Sequence, residues 1–464
     1  MIKAEHRLFR QYLKQGHGRA YMILKKAPDI DEYRADVLWG CLNAFAYDAQ
    51  CEGSRAYYLY RIASLFPDKE SFVSAICDKY LLLSTRHGWE HLHFCELLNR
   101  YACDGNELAE ETLRKKYRDI YGKMIARKRR GKQIYDCDRE CLEHLAIVFA
   151  VRSINDWLEI AADLGQLTIE SAYYRNHFMF DWLLHYSEEF YTRKRLLKLL
   201  ERKKAGSKQL SVFYDKYLSE IEAENGNHAR VNRSDTDSVK AEAMIVGARD
   251  NSLAVIDTVL FRRRADEDEK RTLAAAIEQE SDHRIQAKLL EVYRGGDYPG
   301  SKQKLIEFTM SDDENLREIA LDVFGDCKGE IIVSHALRLL ESGESIYAAV
   351  CALLSNYDRK FKSSILKALK SESLTDDEVH GIVMTVTGAE DRGIHLPKEF
   401  FEFAYNRSPC STCREYVVRH MSKHGWLSKE IAEECLYDCN SSIAEYVHRY
   451  YKMHYLCPEM IFTI

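Results

Sequence analysis

Residues that interrupt helices are scarce in this chain. Six prolines and 22 glycines punctuate 464 residues, too few turn formers for the many tight reversals of an all-β fold. No dinucleotide fingerprint, nucleophile elbow, kinase signature or phosphate-binding loop occurs, so no nucleophile or phosphate cradle is nominated by motif. The nearest approach, Gly295-Gly296-Asp297-Tyr298-Pro299-Gly300-Ser301-Lys302, reverses the serine and lysine of a phosphate loop and reads as a turn. Long apolar runs are missing too. The longest uncharged one, Leu145 to Val151, is far too short to cross a bilayer. Met1 to Arg7 lead into a charged amphipathic helix rather than an apolar core, which predicts no secretory signal. Neither sign of charge dominates: 67 Lys+Arg stand against 73 Asp+Glu, a net charge of -6, which argues against a dedicated nucleic-acid binder. The 14 cysteines are scattered through helical patterns, which predicts free thiols in a reducing cytoplasm.

What the chain does have is self-similarity. Arg414-Glu415-Tyr416-Val417-Val418-Arg419 is answered 30 residues later by Ala444-Glu445-Tyr446-Val447-His448-Arg449. A period of 20 to 50 residues is the mark of stacked repeat units. The same apolar spacing fits Ile285 to Val292, Leu316 to Val323 and Ile346 to Leu353, and more loosely Val379 to Val386. Helix starts at 285, 316, 346, 379, 413 and 443 are spaced by 31, 30, 33, 34 and 30 residues. Ser281-Asp282, Ser311-Asp312-Asp313, Glu344-Ser345, Thr375-Asp376-Asp377 and Asn440-Ser441-Ser442 precede these helices. Such side chains accept hydrogen bonds from the orphan amides of a first helical turn. Other amphipathic runs lie between, so each unit is predicted to be a helix pair.

Leu316-Arg317 within Asp312 to Gly325, and more weakly Cys413-Arg414, resemble the HEAT family of α-helical repeats over roughly the last half of the chain. The resemblance implies an all-α solenoid whose extended surface holds a protein or peptide partner, with no cofactor and no required catalysis. Arg317, Arg414, Arg419, His448 and Arg449 recur along the second helices and are the candidates for that face. The competing reading makes each arginine a rung pairing with an acid of the next repeat. The resemblance also implies a second function. HEAT-like folds include alkylpurine DNA glycosylases, which cradle DNA on a basic, aromatic-lined face with one catalytic carboxylate. Trp157 beside Asp156 and Glu159, and Asp181 beside Trp182, offer such pairings. This chain departs from that pattern in the acidity of its repeat array.

Residues 1–228 read as helical without a clean period, and the most polar stretch, Glu222 to Ser238, predicts the boundary with a repeat array over 229–464. Charge divides unevenly between them: 36 Lys+Arg against 33 Asp+Glu in the first part, 31 against 40 in the second. Tyr173, Tyr174, Phe178, Phe180, Trp182, Tyr186, Phe190 and Tyr191 are read as core aromatics, with base stacking the alternative. The basic cluster Arg127, Lys128, Arg129, Arg130 and Lys132 is the candidate nucleic-acid contact, with Tyr121 and Tyr135 nearby; a second basic run spans Arg193 to Lys208.

Three constellations have metal-ligand spacing. His87-Gly88-Trp89-Glu90-His91 matches a His-x-x-Glu-His string, in which two histidines on one helix face share an ion; Glu159 or Glu170 could complete it. Cys410, Cys413, Cys435 and Cys439 supply four thiols at structural-zinc spacing. Cys137, Cys141 and His144 form a weaker set. In each case the alternative is an ordinary buried side chain.

Overall fold

A computed structural model of the chain describes residues 4–170, 187, 190–226 and 240–454. No strand occurs among the described residues. In chain order the helices are α1 (Ala4–Gln15), α2 (Arg19–Lys26), α3 (Arg34–Cys41), α4 (Ala49–Glu52), α5 (Ala56–Ala63), α6 (Ser71–Leu82), α7 (Gly88–Cys103), α8 (Glu107–Arg129), α9 (Asp136–Arg152), α10 (Ile154–Glu170), α11 (Arg193–Lys204) and α12 (Lys208–Gly226). They continue as α13 (Ala241–Arg249), α14 (Val255–Arg264), α15 (Glu267–Gln279), α16 (His283–Leu290), α17 (Lys302–Thr309), α18 (Glu314–Asp326), α19 (Glu330–Ser342) and α20 (Ile346–Ser355). The last six are α21 (Lys362–Ala368), α22 (Asp376–Thr387), α23 (Lys398–Arg407), α24 (Ser411–Lys423), α25 (Lys429–Cys435) and α26 (Ser441–His454). The fold is an all-α solenoid of helix pairs, as the scarcity of turn residues and the repeat period predict.

The chain forms two compact units, residues 1–231 together with 429–464, and residues 232–428. Between residues 1 and 428 the division falls in the polar stretch that the sequence marks, of which residues 227–239 lie outside the described residues. Residues 429–454, which the repeat period reads as the end of the array, group with the first unit.

In the second unit the helices pair and stack as the period requires. Helix α17 packs on α18, α19 on α20 and α23 on α24, while α16, α18, α20, α22 and α24 pack in succession. Local signals decide where these helices begin. Asp282 accepts from the amides of Arg284 and Ile285, Asp313 from that of Leu316, and Thr375 and Glu378 close a reciprocal capping box. One expected cap fails: Ser345 makes no side-chain cap bond, and its backbone is left-handed at φ 43°.

The apolar stripe of each second helix is buried, with Leu316, Ile319, Ala320 and Val323 of α18 inside. Helix α20 is buried from Ala348 to Ser355, and its small residues let neighbours approach closely. A Cβ on Gly325 would stand 3.0 Å from the Cβ of Cys351.

Polar rungs join adjacent units of the array at about one repeat of separation. The Ser355 hydroxyl donates to Gly325 O at 3.0 Å, the Asn356 amide nitrogen to Cys327 O at 2.7 Å, and the Gly295 amide to Asp326 at 2.9 Å. The recurrent arginine also makes a local bond. Arg317 Nη1 donates to Ser311 O at 2.8 Å, and Arg414 Nη1 to Ser408 O at 3.2 Å. Both bonds reach six residues back, so the arginine clamps the loop that enters its own helix.

The first unit uses the same stacking without an audible period. Helices α1, α3, α5, α7 and α9 pack in succession, and α6, α8 and α10 do likewise. Their lengths run from 8 to 23 residues, which erases any fixed spacing from the sequence.

Candidate binding groove

An open cavity of about 640 Å³ lies along the second helices α18, α20 and α22 of the array. Helix α18 contributes Glu318 and Asp322, four residues apart and therefore on one face, turned away from the buried Leu316–Val323 stripe. Ser345, the N-cap of α20, and Tyr347 in its first turn contribute next, and the first turns of α22 contribute Asp377, Glu378 and His380. Acidic residues at the start of α22 are there for a local reason: they complement the positive end of the helix dipole.

Four carboxylates thus line the groove against one guanidinium, that of Arg294. Arg294 is already held, 2.9 Å from Asp322 and 3.3 Å from Glu291. Burial pushes the Asp322 carboxyl above the ordinary range, against the pull of Arg294 and with the repulsion of Glu318 and Glu291. Burial likewise raises the Tyr347 hydroxyl, with Cys351, Asp322 and Asp326 adding to the effect. Tyr347 lies close against Gly381: a Cβ there would stand 2.6 Å from both its Cε2 and its hydroxyl. Left-handed backbone at a serine costs about 1–2 kcal/mol, and Ser345 holds it where α20 enters the groove. The result is an anionic trough with Tyr347 in its lining, suited to cationic side chains.

The residues nominated by sequence fall elsewhere. Arg414 is fully buried, so it cannot belong to a binding face. Arg317 is half-buried in its clamp. Arg419 pairs with Glu415 at 2.7 Å, and Arg449 with Glu445 at 3.5 Å, both within one helix. His448 is half-buried on α26, in the other unit. Glu318 and Asp322 were missed because the repeated arginine draws attention to a helix position about 100° round from the open face.

The basic cluster of residues 127–132 is exposed or half-exposed and has a structural origin. Lys132 N–H donates to Arg127 O and Gly131 N–H to Lys128 O, both at 2.9 Å, with Gly131 at φ 67°. This is a glycine-terminated helix end, where cations complement the dipole. Arg127 also lies 4.0 Å over the Tyr135 ring, and Arg129 Nε donates to Glu170 at 3.4 Å.

The His-x-x-Glu-His pair does not form. Helix α7 begins at Gly88, so His87 is an exposed, non-helical residue, while His91 is buried against the Tyr80 hydroxyl at 3.0 Å. Two histidines share a helix face only when both are helical. Cys137 and Cys141 hydrogen-bond to Thr85 instead of meeting His144 at an ion site. Cys435 is buried in α25, and the Cys439 amide donates to Gly16 O at 2.9 Å, both in the first unit. Cys410 and Cys413 do come together in the second unit, with His380 as their neighbour.

Trp157 cannot stack on a base. It is fully buried, with Nε1 donating to Ser187 Oγ at 3.0 Å and its ring edge-on to Phe213 at 5.8 Å. Its neighbour Asp156 is bound to Arg114 at 2.9 Å. Phe190 is exposed and Tyr191 half-buried; Tyr173, Tyr174, Phe178, Phe180, Asp181, Trp182 and Tyr186 lie outside the described residues. Trp157→Ala is expected to lower the stability of the first unit by about 3–5 kcal/mol, read as the loss of urea midpoint. A midpoint equal to that of wild type would show the buried ring to be dispensable to the core. No helix among the described residues is long and apolar enough to cross a membrane. No family model, curated protein or solved structure matches the chain.

Proposed function

We propose that this chain is a non-enzymatic binding or scaffolding protein of HEAT-like architecture, and that its groove takes a lysine- or arginine-rich peptide segment of a protein partner. The observation that carries the reading is the excess of four carboxylates over one engaged arginine in an open trough with Tyr347 in its lining. Such a trough selects cationic segments by complementary potential, and aromatic faces accept guanidinium and ammonium groups. Eleven of the thirteen described cysteines are buried or half-buried, as small core residues of a chain kept in a reducing cytoplasmic compartment would be.

The test is fluorescence anisotropy with a labelled Arg/Lys-rich peptide and with a single-stranded oligonucleotide. Glu318→Lys is expected to weaken peptide binding at least tenfold, equivalent to about 1.4 kcal/mol, and to flatten its salt dependence. Charge reversal at Arg127, Lys128, Arg129 and Arg130 is expected to leave the peptide bound. Tight oligonucleotide binding that this second variant abolishes, with no peptide binding, would transfer the function to the basic helix end.

A further inference from the structure

We infer that His380, Cys410 and Cys413 form a zinc site in the second unit, with two thiolates and one imidazole as its protein ligands. One ring nitrogen of His380, Cys410 Sγ and Cys413 Sγ all lie within 4.8 Å of one another, and His380 Nε2 is 3.2 Å from Cys413 Sγ. Zinc bond lengths of about 2.3 Å to sulfur and 2.0–2.1 Å to nitrogen place tetrahedral ligand atoms roughly 3.6–3.8 Å apart. Rotamer adjustments of an ångström or less close this set around an ion.

The backbone prepares the thiols. Cys410 is the N-cap of α24 and accepts from the Cys413 amide at 3.5 Å, so the Cys-x-x-Cys pair turns both sulfurs toward one point. The thirteen-residue α24 directs its positive end at Cys410, and such a position favours the thiolate that zinc requires. His380 comes from α22, the preceding second helix, 33 residues earlier. The protein donors are therefore contributed by two packed repeats, and an ion held there cross-links them. Cys410 is buried, and Cys413 and His380 are half-buried, which suits a site of low net charge.

Binding is balanced without a redox step. Two thiol protons leave to solvent, two zinc–sulfur bonds form, and neutral His380 donates its Nε2 lone pair. Two thiolates neutralise the dication, and the fourth tetrahedral position is left to water or another donor. His380 also lines the groove, so the ion sits at the groove's α22 wall. Glu390, His420 and His424 are the other such group among the described residues. There Lys423 already holds the carboxylate at 3.1 Å, and a cation in place counts against a second one.

The experiment uses the full chain, stripped with chelator under reducing conditions, then given zinc chloride alone and desalted. One zinc per chain by mass spectrometry is expected, together with proton release on addition and a higher thermal midpoint. Cobalt in place of zinc is expected to produce thiolate charge-transfer absorption and the strong visible bands of a tetrahedral centre. His380→Ala and Cys413→Ser are each expected to weaken zinc retention at least tenfold while keeping the helical circular dichroism of wild type. Cys51→Ser, a cysteine of the first unit outside the cluster, is expected to change nothing. No retained zinc in the wild type, or retention undiminished in both variants, overturns the site. Formation of a Cys410–Cys413 disulfide under mild oxidation with no metal uptake under reduction also overturns it, making the pair a redox dithiol.

Discussion

His93→Gln is expected to make the first unit lose stability in acid less steeply, by about 1.4 kcal/mol per pH unit between pH 6.5 and 4. His93 is buried, and its Nε2 donates to Cys41 O at 3.0 Å. Burial drives its basicity from the ordinary 6.5 down to about 4, with the Cys41 carbonyl opposing and Lys79 assisting. Above pH 6.5 the imidazole is neutral in folded and unfolded chains, so it contributes no pH dependence. As pH falls below 6.5 the unfolded chain takes up a proton that the folded chain refuses, and stability drops until pH 4. Glutamine retains a donor for Cys41 and takes up no proton. By pH 4 the wild type should therefore have lost roughly 3 kcal/mol more than the variant.

His91 behaves in the same way over a wider window, its basicity lowered to about 3 by burial and by Lys116 and His144. His91→Gln adds a second proton's worth of relief, and the double variant should show the sum if the two act independently. Glu143 works in the opposite direction, its carboxyl raised to about 6 by burial, but it is common to all the variants and cancels from the comparison. The measurement is urea unfolding of wild type and variants at pH 7, 6, 5 and 4. Parallel pH profiles would sink the argument.

Gly18→Ala is expected to undock the C-terminal segment from the start of the chain, at a loss of roughly 3 kcal/mol. A Cβ at residue 18 would lie 1.8 Å from the Glu434 carbonyl oxygen and 3.0 Å from the Asp438 amide nitrogen. Both obstacles are backbone, so no side chain can swing aside. Gly18 has an ordinary helical φ of -59°; close approach, not conformational freedom, is what demands glycine there. Around it Arg19 grips Glu434 through two bonds of 2.7 and 2.8 Å, and Tyr21 stacks on Tyr437 at 4.0 Å.

Hydrogen exchange of the α25 amides is the readout, with a rise of at least tenfold expected in the variant. Gly122→Ala supplies the control. Nothing lies within 4 Å of its Cβ position in α8, so the substitution should stabilise by about 0.5–1 kcal/mol. Protection of α25 that is equal in Gly18→Ala and wild type would show the contact to be dispensable.

Much of the second unit was legible because its signals are local. Asp282, Asp313 and Thr375 cap the helices they precede, and Leu316, Ile319 and Val323 face inward at the spacing that predicts it. Ser345 was illegible in the same terms: a serine before a helix is a favourable cap only if its backbone is extended, and here it is left-handed. Arg317 and Arg414 were recognised as equivalent positions, but their shared partner is a backbone carbonyl six residues back. A carbonyl leaves no side-chain signature.

The all-α class, the helix pairs and their period of about 30 residues follow from the sequence alone, because caps and apolar spacing act within a turn or two of helix. Tertiary structure alone decided three things. It brought Glu318, Asp322, Asp377 and Glu378 to one trough, joined His380 to Cys410 and Cys413, and returned Glu434 to Arg19. The last pair is 415 residues apart. A contact at that separation has no period and no local propensity to announce it; it exists only once the intervening helices have packed.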